Sequence, residues 1–589
     1  MRIVVKNMLN EGMLTMKKKT NAKTANIAST EGTANAKPIE ISAVMRKLNE
    51  ALNAVEQYKT ENPEVDVDII LSAQNELYPI LKRLSSRELD KFVTYAKEQG
   101  TKMPFDSMEM GILAAGRRDM QDGLAEIVNS LKFEKPTCSK CDEGMDNRGR
   151  SKKKIITSVG EIEINPIRFE CATDNGQSAY PMLDFIGLIE HEETLSDGTT
   201  EKLTVKCTRN AAASIALACS ESSYEQAALV LNQLAGLDLT ATTEFRVTDS
   251  VGSEFVKDVP SEIEPCNVLE MTEKISSNIL GVRIEQINGS TDKDEIIQKA
   301  LDNGPAGILR NEYDGSTIKV MYVQADGTGV PGRRQELAGV KGKQPDGSAK
   351  TFEAKIGAVF IVEFTPDGRP LLSENGDVYR DKKVIYMGTV RKADDFGAML
   401  YQHAIDNGLG DMDAVVFLGD GAKWLWGIQQ KYFPYAFTGI DLYHSTERVN
   451  TMIDLLQFKG RYGSDQKQSL KDKCVELLRF GKVQDMLNLI ESTPCKNNNE
   501  KKLESAMGYF SSNVDRMNYG VFAACGIFVG SGVIEAGCKV IVGNRMKNAG
   551  MHWSKDNAEK MINLRCAIRN GNFLESYLHD RILPKKVAA

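Results

Sequence analysis

Two stretches constrain the fold of this chain more than any others: Val320-Met-Tyr-Val-Gln-Ala-Asp326-Gly and Val415-Val-Phe-Leu-Gly-Asp420-Gly, each an apolar run that ends in an acid and a glycine. Short apolar runs of this kind read as strands buried in a sheet. An Asp at the carboxyl end of a buried strand projects into the crevice where open α/β sheets bind ligands, and the glycine after it lets a second oxygen-rich group approach the backbone. Were the two strands neighbours, their carboxylates could share a metal. Asp-Gly is also a common turn dipeptide, and the chain has seven, at Asp122, Asp197, Asp314, Asp326, Asp346, Asp367 and Asp420. Only Asp326 and Asp420 directly follow long apolar runs, where an unpaired carboxylate is costly without a cation.

The pattern around them is β/α from Ser316 onward. Strands are expected at Ile318–Ala325, Lys355–Phe364, Val384–Val390, Ala414–Leu418 and Phe437–Leu442, with a helix at Asp394–Asn407 after the third. Three strands, a helix and two more strands predict a mixed sheet with helices packed on it. From Asp465 to Met517 the pattern is helical, with Leu470, Cys474, Leu477 and Leu478 on one face, as an insertion at about 457–518. The apolar, glycine-punctuated block Tyr519 to Gly543 is long enough for a membrane span, but it contains Glu535 and Lys539, and a carboxylate in mid-membrane costs several kcal/mol, ~3 or more. A buried strand-turn-helix carrying Glu535 as a functional acid is the better account, the alternative being a buried Glu535–Lys539 pair at i,i+4. Asp441-Leu-Tyr-His444 closes the fifth strand, placing His444 as a phosphate donor or proton carrier, or as a merely structural histidine.

Ahead of this core, residues 1–38 are rich in Lys, Thr, Asn and Ala and read as a disordered leader. Residues 39–132 are helical in pattern, with Ile69, Ile70, Leu71, Leu77, Ile80, Leu81 and Leu84 on one stripe. Region 133–195 alternates, as in Gly160-Glu-Ile-Glu-Ile-Asn165, behind a basic stretch with seven Lys/Arg against three acids from Lys135 to Gly160. In region 196–260, helices at Asn210–Ser220 and Ser222–Leu234 with Gly236 as stop, and a third capped by Thr240, give a helix-turn-helix outline. Any three-helix bundle gives the same outline, and Arg246 is the lone base of the third helix. Region 261–315 connects this outline to a catalytic domain at 316–589.

Composition bounds the partners. The chain has 589 residues, 41% hydrophobic and 26% charged, with a net charge of −7, so a phosphate-rich partner must be met by a local basic surface. From Lys539 to Ala589 there are ten Lys/Arg against four acids, a segment that can track a phosphate backbone or serve only as a solvated helix face. Trp424, Trp426 and Trp553 are the sole tryptophans; Trp424 could stack on an unpaired base, though packing is the commoner role. Eleven dilute cysteines exclude a disulfide scaffold and make a reducing cytoplasm the default.

Asp-Gly-Thr-Gly-Val-Pro at 326–331, Gly-Asp-Gly-Ala-Lys-Trp at 419–424, Asp-Leu-Tyr-His at 441–444 and Ser-Gly-Val-Ile-Glu-Ala-Gly-Cys-Lys at 531–539 resemble, in order, the motifs of the ISKra4-type insertion-sequence transposases. The tail Gly543-Asn-Arg-Met-Lys-Asn-Ala-Gly-Met-His-Trp-Ser554 continues the resemblance, which runs from about residue 130 onward. It implies an RNase H-like core with a DDE triad of Asp326, Asp420 and Glu535 holding two Mg²⁺ (or Mn²⁺), with Asp441 and His444 as active-site neighbours. It also implies DNA as the partner, both element ends and target, contacted by Arg246, Lys539, Arg545, Lys547 and Trp424. A homo-oligomer, no membrane and a nucleoid-associated cytoplasmic location follow from the same resemblance. The family usually shows two Cys-x-x-Cys pairs before the core. Here Cys138-Ser-Lys-Cys141 is intact and the second reads Cys171-Ala-Thr-Asp174, so Cys138, Cys141 and Cys171 hold Zn²⁺ in a zinc-ribbon-like region or belong to a ribbon that folds without metal. The rival readings are a catalytically inactive DNA-binding protein of transposase descent and a metal-dependent nuclease on the same fold.

Overall fold

The computed structural model describes residues 88–582 except 174–176, 195–199, 262–267, 305–306, 314, 343, 345–346, 379–383, 459–462, 494–495 and 498–499. The chain divides between Asp90 and Lys91 into two compact units. The expected leader, most of the helical N-terminal region and Asp174 lie outside the described residues.

Helix α1 (Phe105–Ser130) packs on the strand Gly160–Ile164, in which Gly160, Ile162 and Ile164 are buried while Glu161 and Glu163 face solvent. That period of two is the expected alternation. The strand belongs to a four-stranded sheet with Lys153–Thr157, Thr200–Thr208 and Leu188–Thr194 in that spatial order. Leu188–Thr194 and Thr200–Thr208 pair from Leu188–Thr208 to Thr194–Thr200. The expected boundary at 195/196 therefore falls inside a hairpin, because Ser196-Asp-Gly198 joins two strands of one sheet.

The helix-turn-helix outline forms as α2 (Arg209–Glu221), α3 (Tyr224–Ala235) and α4 (Ala241–Ser253). Thr208, Ser223 and Thr240 each accept a backbone N–H of the first turn, and Gly236, at φ 66°, ends α3 in the left-handed conformation that glycine adopts without penalty. The third helix is not presented as a free recognition helix. Glu244 and every residue from Val247 to Gly252 are buried, and a Cβ on Gly252 would sit 3.0 Å from the Lys560 carbonyl.

Three helices, Val268–Ser277, Ile279–Gly289 and Lys293–Asn303, lead to the central sheet. Its strands are β1 (Ile318–Pro331), β2 (Thr351–Phe364), β3 (Ile385–Thr389), β4 (Ala414–Gly419) and β5 (Phe437–Ile440), in spatial order β3-β2-β1-β4-β5. Each expected strand is present, and β1 and β2 run several residues further than their apolar cores. β2 runs antiparallel to both of its neighbours, β1 and β3, whereas β4 runs parallel to β1 and β5 parallel to β4. The mixed α/β architecture expected of the core is thus what the chain adopts.

Side-chain alternation sorts β1 onto two faces. Met321, Val323 and Ala325 join Val415 and Phe417 against α5 (Ala393–Asp406) and α6 (Lys423–Tyr432). Val320 and Tyr322 join Val416 and Leu418 against Val521, Phe522 and Ile527. Beyond β5 come α7 (Leu442–Asp454) and the insertion helices α8 (Gly463–Phe480), α9 (Val483–Ser492) and α10 (Glu500–Ser511). Leu470, Cys474 and Leu478 are the buried positions of α8.

The block after the insertion departs from expectation. It opens with helix α11 (Tyr519–Ala524) in place of a strand and continues to α12 (Gly532–Cys538) and a π-helical turn at Lys539–Gly543. Gly526 at φ 70° closes α11, with the Ile527 N–H reaching back to the Phe522 carbonyl at 2.8 Å. An apolar run is ambiguous between buried strand and buried helix, and here the Phe522 N–H bonds to the Asn518 carbonyl and the Cys525 N–H to the Val521 carbonyl, in helical register. No helix of the described residues is long and apolar enough to cross a membrane.

Helix α13 (Lys555–Asn570) lies along β3, the outer strand of the sheet. Its side chains take backbone groups of that edge: Asn570 accepts the Tyr386 N–H and donates to the Tyr386 carbonyl, both at 2.8 Å, and Glu559 accepts the Val390 N–H at 2.6 Å.

Candidate active site

The β1–β4 register pairs Leu418 with Gln324. Two residues on along each parallel strand stand Asp420 and Asp326, so sheet geometry alone brings these acids side by side. Both share parity with the face covered by α11 and α12. Asp326 is half-buried; its Oδ1 accepts the Gly327 N–H at 2.7 Å and its Oδ2 faces the Cys538 thiol at 3.7 Å. Burial raises the Asp326 carboxyl above the ordinary aspartate range, and the neighbouring Asp420 charge pushes the same way. Asp420 Oδ1 accepts the Ala422 N–H at 2.9 Å. Gly421, at φ 94°, makes the turn behind it, and a Cβ there would meet the Tyr509 hydroxyl at 2.5 Å. Tyr509, from insertion helix α10, donates to the Asp420 carbonyl at 3.1 Å and carries the Arg448 guanidinium 4.2 Å above its ring.

Glu535 sits in the middle of α12, and two buried side chains fix where that helix starts. Gln324, fully buried two residues before Asp326, donates to the Gly530 carbonyl and accepts the Ile534 N–H, each at 3.1 Å. Asp441 caps two helices at once: Oδ1 accepts the His444 N–H of α7 and Oδ2 accepts the Ser531 N–H ahead of α12, both at 2.5 Å. Ser531 also donates to Glu535 Oε1. His444 Nδ1 stands 3.6 Å from Asp441 Oδ1 and 3.8 Å from Glu535 Oε1. Glu535 makes no ion pair with Lys539 among the described residues, so the i,i+4 alternative is not what the helix adopts.

The five acid and imidazole groups therefore converge on one end of the sheet, and they divide in two. Asp441, His444 and Glu535 offer ligand atoms within 4.8 Å of one another. Asp326 and Asp420 complete no such group with Glu535 among the described residues. Asp441, 1% exposed with both oxygens engaged by backbone N–H groups, acts on the site by holding α7 and α12 rather than by facing it. The donor set fits divalent cations: Asp326 and Asp420 are adjacent carboxylates that form no ion pair among the described residues, and a 2+ ion would relieve both their mutual repulsion and their desolvation.

The residues expected to meet DNA separate sharply. Lys547 is exposed, with Nζ donating to Thr328 Oγ1 at 2.6 Å on β1 just beyond Asp326; Lys539 is exposed one residue past α12. Trp424 is half-buried, edge-on to Phe396 at 5.7 Å, with Lys355 Nζ 5.8 Å from its ring. Arg246 is half-exposed on the covered helix α4. Arg545 is out of reach of any phosphate. It is 1% exposed, donates to the Cys219 carbonyl at 2.7 Å and lies between the rings of Tyr224 and Trp553. Arg565, counted in the same basic tail, is equally buried and donates to the carbonyls of Ser220, Val540 and Ile541. Arg569 pairs with Glu221, and Lys560 with Asp249 and Asp556. These four of the ten bases of that tail are thus engaged by partners within the protein.

Away from the sheet, the Cys138, Cys141 and Cys171 thiols form a second compact group, with Cys141 and Cys171 sulfurs 3.5 Å apart. Thr173 Oγ1 lies 3.3 Å from Cys141 and 3.2 Å from Cys171, and Gln177 Oε1 faces Cys138 at 3.6 Å. Three converging thiols fit Zn²⁺, with a fourth position open to one of these oxygens.

Sequence reasoning gave no role to Gln324, Ser531, Cys538 or Tyr509; for Gln324 the signal to be noticed was a polar residue inside an apolar strand run. No protein-family model matches the chain, and no curated protein matches it.

Proposed function

We propose that the chain is a metal-dependent DNA strand-cleaving and strand-joining enzyme, a transposase of the DDE type on an RNase H-like core. One observation carries this reading: Asp326 and Asp420 stand at adjacent positions of neighbouring parallel strands, and the helix bearing Glu535 is tied to the first of those strands by Gln324. The spatial order β3-β2-β1-β4-β5 and the insertion between the second and third acids support it. DNA and a nucleoid location are parts of the same reading, as is Zn²⁺ on the three cysteines.

Bound Mg²⁺ or Mn²⁺ would supply charge to activate an oxygen nucleophile and stabilise the leaving oxygen. The chain's own part is to hold the carboxylates. Asp326 and Asp420 are fixed by the sheet and by the Gly327 and Ala422 N–H groups; Glu535 is fixed by α12, Gln324 and Ser531. His444 Nδ1, beside Glu535, is placed to take a proton from the attacking hydroxyl. In the first step water adds to phosphorus and the P–O3′ bond breaks, leaving a 3′-hydroxyl. In the second that hydroxyl adds to a target phosphorus and displaces the target's own O3′.

The test is incubation of the purified protein with labelled element-end DNA, Mg²⁺ and a target plasmid. Joined product is the expected result; cleavage alone would make it a nuclease, and binding alone a regulator. Asp326→Asn, Asp420→Asn and Glu535→Gln should each lower cleavage at least about 100-fold, the scale of a lost metal ligand, with DNA binding retained.

A further inference from the structure

β4 ends beside Gln324 and β3 ends beside Lys355, so past the first acid only β1 and β2 continue, as a two-stranded arm pairing Gly327 with Lys355 through Pro331 with Thr351. One face of the arm is welded down. Val330, Phe352 and Ala354 pack with Ile541, Met546 and Trp553, the Trp553 N–H bonds to the Pro331 carbonyl, and the Arg333 N–H to the Trp553 carbonyl, both at 2.9 Å. The tip is built rather than loose: the Val340 N–H bonds to the Leu337 carbonyl at 3.0 Å, the Gly342 N–H to the Gly347 carbonyl at 2.8 Å and the Ala349 N–H to the Val340 carbonyl at 3.1 Å.

This rigid tip is basic. Residues 332–350 hold five Lys/Arg against two acids and no aromatic residue. Arg333, Arg334, Lys341 and Lys350 are exposed, and their side chains form no ion pair among the described residues. That distinguishes them from Arg545, Arg565, Arg569 and Lys560, whose charges are met internally. Arg333 lies seven residues past Asp326, the first five of them in β1, a reach of up to about 23 Å, or roughly seven base steps along a duplex at ~3.4 Å each.

We propose that the arm grips the phosphate backbone of duplex DNA on one flank of the scissile bond. The inference rests on the strand-cleaving reading of the carboxylate site. A tip without aromatic side chains lacks the stacking platforms that single-strand binders combine with a basic groove, and exposed Lys and Arg side chains contact phosphates irrespective of sequence. Lys547, bonded to Thr328 at the root of the arm, continues the same basic edge toward the acids.

The experiment uses the full chain and a 30-base-pair duplex, with affinity read by fluorescence anisotropy from 50 to 200 mM salt without divalent metal. The triple variant Arg333→Ser, Arg334→Ser, Lys341→Ser should bind at least about tenfold more weakly, with the slope of log K against log salt reduced by about 2 to 3, at ~0.9 per phosphate contact. Glu336→Lys, a change of the opposite sign on an exposed turn, should tighten binding and steepen the slope. A triple variant with wild-type affinity and slope overturns the inference and leaves cleavage by the intact chain, and so the functional reading, untouched. A loss seen on single-stranded but not duplex DNA also overturns it. Weakened duplex binding in a chain that never cleaves DNA upholds the arm's role and defeats the functional reading alone.

Discussion

The surroundings of Asp326 disfavour a charge on its carboxyl. Its carboxyl is raised by burial first and by Asp420 second, so the folded, metal-free protein binds that proton more tightly than the unfolded chain does. The stabilisation this brings is complete below the ordinary aspartate range and is lost as pH rises through the raised value. In metal-free buffer at pH 7, Asp326→Asn should therefore raise the melting temperature, and the difference should vanish in acid; thermal scans at the two pH values check both. Added Mg²⁺ should raise the wild-type melting temperature and leave that of the variant nearly unmoved. Both acids were legible because strand burial leaves a signature of consecutive apolar residues, and a carboxylate at its end has few bland explanations. Gln324 was not legible. Its two bonds go to Gly530 and Ile534, more than 200 positions away. Gln324→Ala should cost about 2–5 kcal/mol by leaving a buried carbonyl and N–H unpaired. It should also reduce cleavage by misplacing Glu535, which denaturation and single-turnover assays report separately.

At the level of the helix, Asp441 has a structural part that its motif does not announce. The Asp-x-x-His spacing places His444 beside Glu535, yet the Asp441 carboxylate ties the starts of α7 and α12 together. Asp441→Ala removes both caps and should cost about 1–4 kcal/mol. Asp441→Asn, which keeps one acceptor oxygen, should lose roughly half as much; urea titration ranks the two. Helix α4 was legible from its Thr240 cap and α3 from its Gly236 stop, because such residues satisfy or terminate the local backbone whatever the tertiary fold. What α4 packs against was not, since burial of Asp249 depends on Asn557 and Lys560 across the molecule. The strand expected after Tyr519 was a helix for the related reason that glycine-rich apolar sequence carries no period of its own.

Across the whole second unit, three consecutive residues closing α2 each receive an arginine from the C-terminal segment: Cys219 from Arg545, Ser220 from Arg565 and Glu221 from Arg569. Arg565 also holds Val540 and Ile541 in the π-helical turn just past α12, so the helical module and the third acid share one brace. Counting charges along the chain assigned these arginines to solvent, and nothing local reveals that a guanidinium will be closed in by carbonyls. Arg565→Met should cost about 3–5 kcal/mol through the carbonyls it strands, and limited proteolysis should then release the 100–260 region first. The way α13 lies on the sheet reaches further. Because Asn570 and Glu559 occupy backbone positions of β3 that another strand would need, this border is closed to β-augmentation. A strand from any other chain must then find a different edge, which disfavours runaway fibre growth from this side of the molecule.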